Sequence, residues 1–204
     1  MQKLLYIFDF DLTIADTAAA SVNTYIAAFA TLGLKFDEND VFRHLKMPLE
    51  QTYNEAILSA KKPASYEDFR AAFEKSSTEV FGSVGLYDDV ISCFERIVGE
   101  GARLAIVTTR FKRAVLSVLD KYPEAEKYVC SLVTSDDVKR FKPFPDPILK
   151  CLSETGVRPA DAVYIGDAEN DMLAATAAGV DFIYVDRTGF VNKTGAILSL
   201  EQLG

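Results

Sequence analysis

Apolar and aromatic residues run without a break from Leu4 to Phe8 and then give way to Asp9 and Asp11. The run predicts a strand covered on both faces. From Asp16 to about Leu86 the rhythm is helical. Val22, Ile26, Phe29 and Leu32 form one stripe, with Thr17 as N-cap and Gly33 as stop. Leu49, Tyr53, Ile57 and Ala60 form a second stripe. Tyr66, Phe69, Phe73, Val80 and Phe81 form a third, opened by Ser65 after Pro63. No strand pattern interrupts them.

After Leu86, helices and strands alternate. Helical patterns cover Asp88 to Val98, Ala114 to Leu119 (stopping before Pro123), Pro147 to Gly156 and Glu169 to Ala178. Strand patterns cover Leu104 to Val107, Tyr128 to Val133, Ala162 to Ile165 and Phe182 to Val185, and Ala196 to Leu203 reads as a short terminal helix. Alternation of this kind predicts an α/β fold with a doubly wound parallel sheet. The first strand needs that sheet for partners. The expected organisation is therefore a catalytic core of residues 1–15 and 86–204, with a helical cap, residues 16–85, inserted after the first strand.

A length of 204 residues, 49% hydrophobic and 25% charged, fits a globular chain with a sizeable core. A formal net charge of -8 argues against a grip on nucleic acid through a basic surface. It leaves room for a small anionic substrate, because a metal ion and local cations can invert the field inside a cleft. Cys93, Cys130 and Cys151 are spread among apolar neighbours and read as reduced core residues of a cytoplasmic protein. No stretch has the length of a membrane span, and the N-terminus lacks signal-peptide features. A monomer or weak homodimer is expected.

In an open parallel sheet, ligands bind beyond the carboxyl ends of the strands, and the polar residues of this chain collect there. The first strand ends in Asp9 and Asp11, whose spacing aims both side chains one way in extended chain. The second ends in Thr108 and Thr109, the fourth in Asp167, and Asp171 follows on the first turn of the next helix. Lys142 lies in the proline-stiffened loop KPFPDP after the third strand. Each has a plainer reading: a solvated strand end, a helix N-cap, a surface lysine. Independent caps, however, need not bring carboxylates, a hydroxyl and an ammonium to one rim. Hard oxygen ligands without histidine or cysteine favour magnesium over zinc. The set suits phosphoryl transfer, with one carboxylate attacking phosphorus and another moving protons.

With DFDLT, Thr108 after a hydrophobic strand, Lys142 before proline, and GDAEND in that order, the chain resembles the haloacid dehalogenase superfamily. The helical insertion is similar to that of its phosphoglycolate phosphatase and β-phosphoglucomutase branch. The resemblance implies Asp9 as nucleophile and Asp11 as general acid/base, with Thr108, Thr109 and Lys142 holding the phosphoryl group. It also implies Mg2+ on Asp9, the Asp11 carbonyl and Asp167, with Asp171 as ligand or support. The activity implied is a phosphatase for a small phosphorylated metabolite, with phosphomutase, inorganic pyrophosphatase and, from another class, a phospho-accepting signalling module as alternatives. FRHLKMPLE resembles the family's substrate-facing cap loop, which implies that Lys46, Arg43 and His44 meet an anionic leaving group; a solvated basic turn is the rival reading. Two departures stand out. Leu12 occupies a position where many branch members have glycine, and Thr109-Arg110 stands where asparagine-lysine is frequent.

Overall fold

All four residues of strand β1, Leu5–Phe8, are buried, because helices cover both faces of the sheet to which it belongs. A computed structural model of the chain describes residues 3–42, 44–45, 47, 49–58, 64–187 and 194–203. It separates into two compact units, Met1–Asp16 with Gly85–Gly204, and Thr17–Val84.

In chain order, β1 is followed by the helices of the second unit: α1 (Ala18–Thr31), α2 (Glu38–Phe42), α3 (Leu49–Thr52), which continues as a π-helical turn over Tyr53–Leu58, and α4 (Tyr66–Phe81). The first unit then resumes with α5 (Val90–Gly99), β2 (Arg103–Val107), α6 (Lys112–Leu119), α7 (Pro123–Glu126), β3 (Val129–Val133), α8 (Asp146–Thr155), β4 (Ala162–Gly166), α9 (Glu169–Ala178) and β5 (Asp181–Tyr184).

The second unit is held together by aromatic rings. Tyr25 on α1 meets Phe73 on α4 with centroids 4.7 Å apart, and Phe29 stacks on Phe69 at 5.7 Å and on Phe36 at 4.3 Å. Offset and tilted pairs of this kind add about 0.5–1.5 kcal/mol each beyond their area burial. Ser65 opens α4 as the pattern predicts. Its hydroxyl accepts the Asp68 amide at 3.1 Å while the Asp68 carboxylate accepts the Ser65 amide at 3.0 Å, a reciprocal capping box. Thr17 precedes α1, but its buried hydroxyl makes no capping bond.

In the first unit the described strands form one parallel sheet in the order β3-β2-β1-β4-β5. The chain winds outward from β1 to β3, then returns to the other side of β1, which makes the β1–β4 boundary the topological switch point. Leu5 and Ile7 face a core shared with Ile148, Leu152, Ala174 and Ala175 of α8 and α9. Phe8 faces the other way, with its ring 5.2 Å from that of Phe94 on α5. Burying one such side chain contributes roughly 1.5–3 kcal/mol.

The expected fold class is the one observed, but several local expectations are corrected. Leu4 is 56% exposed and lies outside β1. Pro123 does not only follow a helix; it opens the single turn α7, a role that its fixed φ suits. The predicted terminal helix is a bridge between Val185 and Ile197 followed by a 3-10 turn over Leu200–Gln202. Cys93 and Cys151 are buried, but Cys130 is exposed, because β3 is an edge strand and turns one face to solvent. Among the described residues, no helix is long and apolar enough to cross a membrane.

Candidate active site

Strand register brings the polar positions to one level. Phe8 lies beside Ile106 on one side and Ile165 on the other, and the Asp9 amide donates to the Ile165 carbonyl at 2.8 Å. The residues just beyond these strands, Asp9, Thr108 and Asp167, therefore leave the sheet at the same edge.

The Lys142 ammonium is the centre of the arrangement. Its Nζ lies 2.6 Å from Asp9 Oδ1, 2.5 Å from Asp171 Oδ1 and 3.0 Å from the Tyr164 hydroxyl. The lysine side chain is only 5% exposed. An ammonium has three donors, and these three acceptors match them. Burial alone would lower the Lys142 pKa, but Asp171 and Asp9 outweigh it and raise it well above the ordinary lysine value. Asp9 goes the other way from a normal ion-paired carboxylate. Burial pushes its carboxyl well above the usual range; Lys142 opposes this, and Asp171, Asp11 and Asp167 add to it.

Carboxylate oxygens of Asp9, Asp167 and Asp171 lie within 4.8 Å of one another. Three carboxyl groups crowd together beside one buried ammonium, and every donor is a hard oxygen. That arrangement fits a divalent cation of the magnesium class. Lys142 and this cluster lie together at the carboxyl edge of the sheet.

Asp11 sits apart from the cluster, in a tight turn. Arg110 Nε lies 2.9 Å from both Asp11 carboxylate oxygens. Leu12 has φ +53°, the left-handed region that costs a branched or bulky residue about 1–2 kcal/mol. That backbone is what glycine tolerates. We expect Leu12→Gly to unfold in urea within about 1 kcal/mol of the parent, since relief of the left-handed strain offsets the extra chain entropy. Leu12→Ile is expected to lose more than about 1 kcal/mol, β-branched residues being worst there. Equal losses for the two would rule the strain out.

Thr108 is buried at 2% exposure, and its hydroxyl accepts the Arg110 amide at 3.1 Å. Neither threonine caps α6; the Asp136 carboxylate does, accepting the Lys112 amide at 2.8 Å. Thr109 is exposed at the rim. Arg43 and Lys46 lie outside the described residues. His44 is 2% exposed, with its ring 6.1 Å from Phe29 and 6.3 Å from Phe36. Its ring thus lies against the aromatic rings of the second unit and not in the solvated turn that is the rival reading of this loop.

Three residues to which the sequence pattern assigns no role shape the site. Tyr164 is a fully buried β4 residue whose hydroxyl donates to the Val107 carbonyl at 2.8 Å while accepting from Lys142. In a run such as AVYIG it reads as one more apolar core position; the hydroxyl was the available signal. Arg110 reads as a loop cation until its partner is known. Gly166 ends β4 where a Cβ would lie 2.6 Å from Asp171 Oδ2. Asp171 is folded back onto that glycine, with Oδ2 accepting the Ala168 amide at 3.1 Å. Gly166→Ala should push Asp171 off Lys142 and cost roughly 1–3 kcal/mol. Thermal melts would show it, and a variant as stable as the parent would mean that Asp171 has room to move.

Residues 6–185 match the family described as haloacid dehalogenase-like hydrolase. Among curated proteins, the pyrophosphatase PpaX of Bacillus velezensis is 29% identical over 174 residues, covering 85% of this chain and 78% of that protein. A solved Lactobacillus plantarum structure assigned as a phosphoglycolate phosphatase is similar with a TM-score of 0.78 at 29% identity, covering 90% of this chain and 86% of that one. CbbY from Rhodobacter sphaeroides, crystallised with phosphate, reaches a TM-score of 0.84 at 23% identity over 100% and 97% of the two chains, a likeness of fold. With a parallel sheet that ends in this constellation and a family match along most of its length, the chain belongs to the haloacid dehalogenase-like hydrolases.

Proposed function

We propose that this hydrolase is a magnesium-dependent phosphatase for a small phosphorylated metabolite, working through a phosphorylated Asp9. The observation that carries the reading is the buried Asp9–Lys142–Asp171 chain with Asp167 beside it. A fold needing only stability gains little from two carboxylates on one buried ammonium with a third carboxylate beside them. A site that must hold a divalent ion and a phosphoryl group needs that combination.

In the first step an Asp9 oxygen bonds to phosphorus as the ester P–O bond breaks, and Asp11 protonates the departing oxygen. In the second, Asp11 takes a proton from water, the water oxygen bonds to phosphorus, and the acyl–phosphate bond breaks to restore the Asp9 carboxylate. Proton delivery requires the Asp11–Arg110 pair to open, because the carboxylate oxygens both face Arg110 Nε. Lys142 neutralises charge on Asp9 and on the phosphoryl oxygens, and the Thr108 hydroxyl stands at the same strand edge to donate to them. Asp9 and Asp167, with Asp171 as ligand or support, would hold magnesium, which would offset negative charge on the phosphoryl group. Inorganic pyrophosphate, named for the Bacillus velezensis relative, meets the same chemistry with phosphate as leaving group.

Phosphate release from a panel of phosphorylated metabolites and pyrophosphate, with magnesium and with chelator, tests the reading. Turnover that survives chelation would exclude it, and a product isomer without free phosphate would show a mutase instead.

A pH signature should accompany the metal. The folded-state pKa of Asp9 is raised, so its contribution to stability is complete below the unfolded carboxylate value near 4 and is lost as pH rises through the folded value. Metal-free protein should therefore be penalised by Asp9 towards neutral pH, and magnesium should remove the penalty. Melting temperatures with magnesium and with chelator should diverge more at pH 7.5 than at pH 5. An equal gap at both would show that Asp9 is not coupled to the ion.

A further inference from the structure

We propose that Arg187 is a positioning residue for the turn carrying Asp11, locked in place by Asp89 and the C-terminal segment; the inference rests on the phosphatase reading above. Arg187 Nη1 and Nη2 pair with Asp89 Oδ2 and Oδ1 at 2.6 and 3.0 Å. Its Nε and Nη2 also donate to the Thr13 carbonyl at 3.1 and 2.6 Å. The guanidinium carbon lies 4.3 Å from the centre of the Tyr87 ring, and the side chain is 8% exposed. Asp89 Oδ2 accepts two further bonds, from the Ser199 hydroxyl at 2.7 Å and the Leu200 amide at 2.8 Å.

The turn's internal bonds set its shape but not its place. The Leu12 amide donates to the Ala15 carbonyl, and the Ile14 and Ala15 amides donate to Phe10. Outside ties come from Arg110 to the Asp11 carboxylate and, on the backbone, from Tyr87 to the Ile14 carbonyl, from Asp16 to Gly85 and from Arg187 to Thr13. Thr13 is fully buried, so its carbonyl requires a protein donor. It lies two residues beyond Asp11, the group that must meet a leaving oxygen. Misplacement of a reacting group by 1 Å costs about a hundredfold in rate. A planar fork can serve Asp89 and Thr13 together; a single ammonium on a flexible stem cannot hold that geometry. The last described residues of the chain thereby take part in placing a catalytic group at its start.

The test is Arg187→Lys, with Asp89→Asn and Ser199→Ala, in the full-length protein below its unfolding transition. Expected for Arg187→Lys is a kcat loss of about ten- to a hundredfold with KM within about threefold, and faster amide exchange at Leu12, Ile14 and Ala15. Asp89→Asn should follow with a smaller loss of the same kind, and Ser199→Ala with the smallest. If Arg187→Lys does not fold, that ordering between Asp89→Asn and Ser199→Ala decides. A merely structural ion pair would lower the melting temperature and leave kcat of the folded enzyme unchanged, which would overturn the proposal. Unchanged exchange in the turn would overturn it as well. Should the parent chain release no phosphate from any substrate, the functional reading fails, and exchange in the turn alone decides whether Arg187 places it.

Discussion

Asp9→Asn is expected to abolish phosphate release, with kcat down by at least about ten-thousandfold and the fold intact. Removal of a nucleophile leaves only binding and charge stabilisation, which in hydrolytic sites are worth far less than the covalent route. The same substitution should stabilise the metal-free protein at neutral pH. The Asp9 carboxyl is raised well above its ordinary range by burial first and by Asp171, Asp11 and Asp167, so its ionised form is unfavourable where it stands. An amide of equal size removes that charge, while Lys142 keeps Asp171 as partner. A gain in melting temperature in chelator together with a loss of turnover would mark Asp9 as retained for chemistry. Turnover near the parent's would sink the covalent mechanism.

Lys142→Met should fail in both respects. The ammonium lies between two carboxylates that are 7% and 1% exposed. Deleting it strands both, and breaking a buried pair from one side costs about 3–5 kcal/mol. The Tyr164 hydroxyl loses a donor as well. Denaturant melts in chelator should show a loss of that order. Magnesium should recover part of it, since the cation supplies some of the missing charge. Turnover at saturating magnesium should still fall by at least about a hundredfold, because transition-state charge on the phosphoryl oxygens loses its nearest fixed cation. A variant equally destabilised with and without magnesium would show that the lysine and the ion do not share a charge cluster.

The two substitutions depend on different kinds of legibility. Asp9 was visible locally: a buried run that stops at a carboxylate can be read from neighbouring residues. From its neighbours alone Lys142 is a cation in a stiff loop, 133 positions away along the chain from the carboxylate it touches, and only the order of the motifs links the two. Tyr164 reads as part of a strand and Gly166 as the first residue of GDAEND just beyond it, and their contacts with Lys142 and Asp171 have no periodic signature. Arg110 was noticed as a departure from a family habit, but nothing in its neighbours indicates that Asp11 is its partner. The loop pattern around His44 gives no sign that its ring packs beside Phe29 and Phe36.

Periodicity and chain order carried the architecture, since buried strands and amphipathic helices obey short-range rules that a linear pattern records. Strand alternation with helices implied parallel pairing, and pairing implied a common edge where strand-end carboxylates meet. Which side chains touch at that edge depended on register, on a loop returning Lys142 between Asp9 and Asp171, and on an arginine near the C-terminus reaching Thr13. Those are long-range contacts between residues with no local correlation, and folding alone brings them within hydrogen-bonding distance.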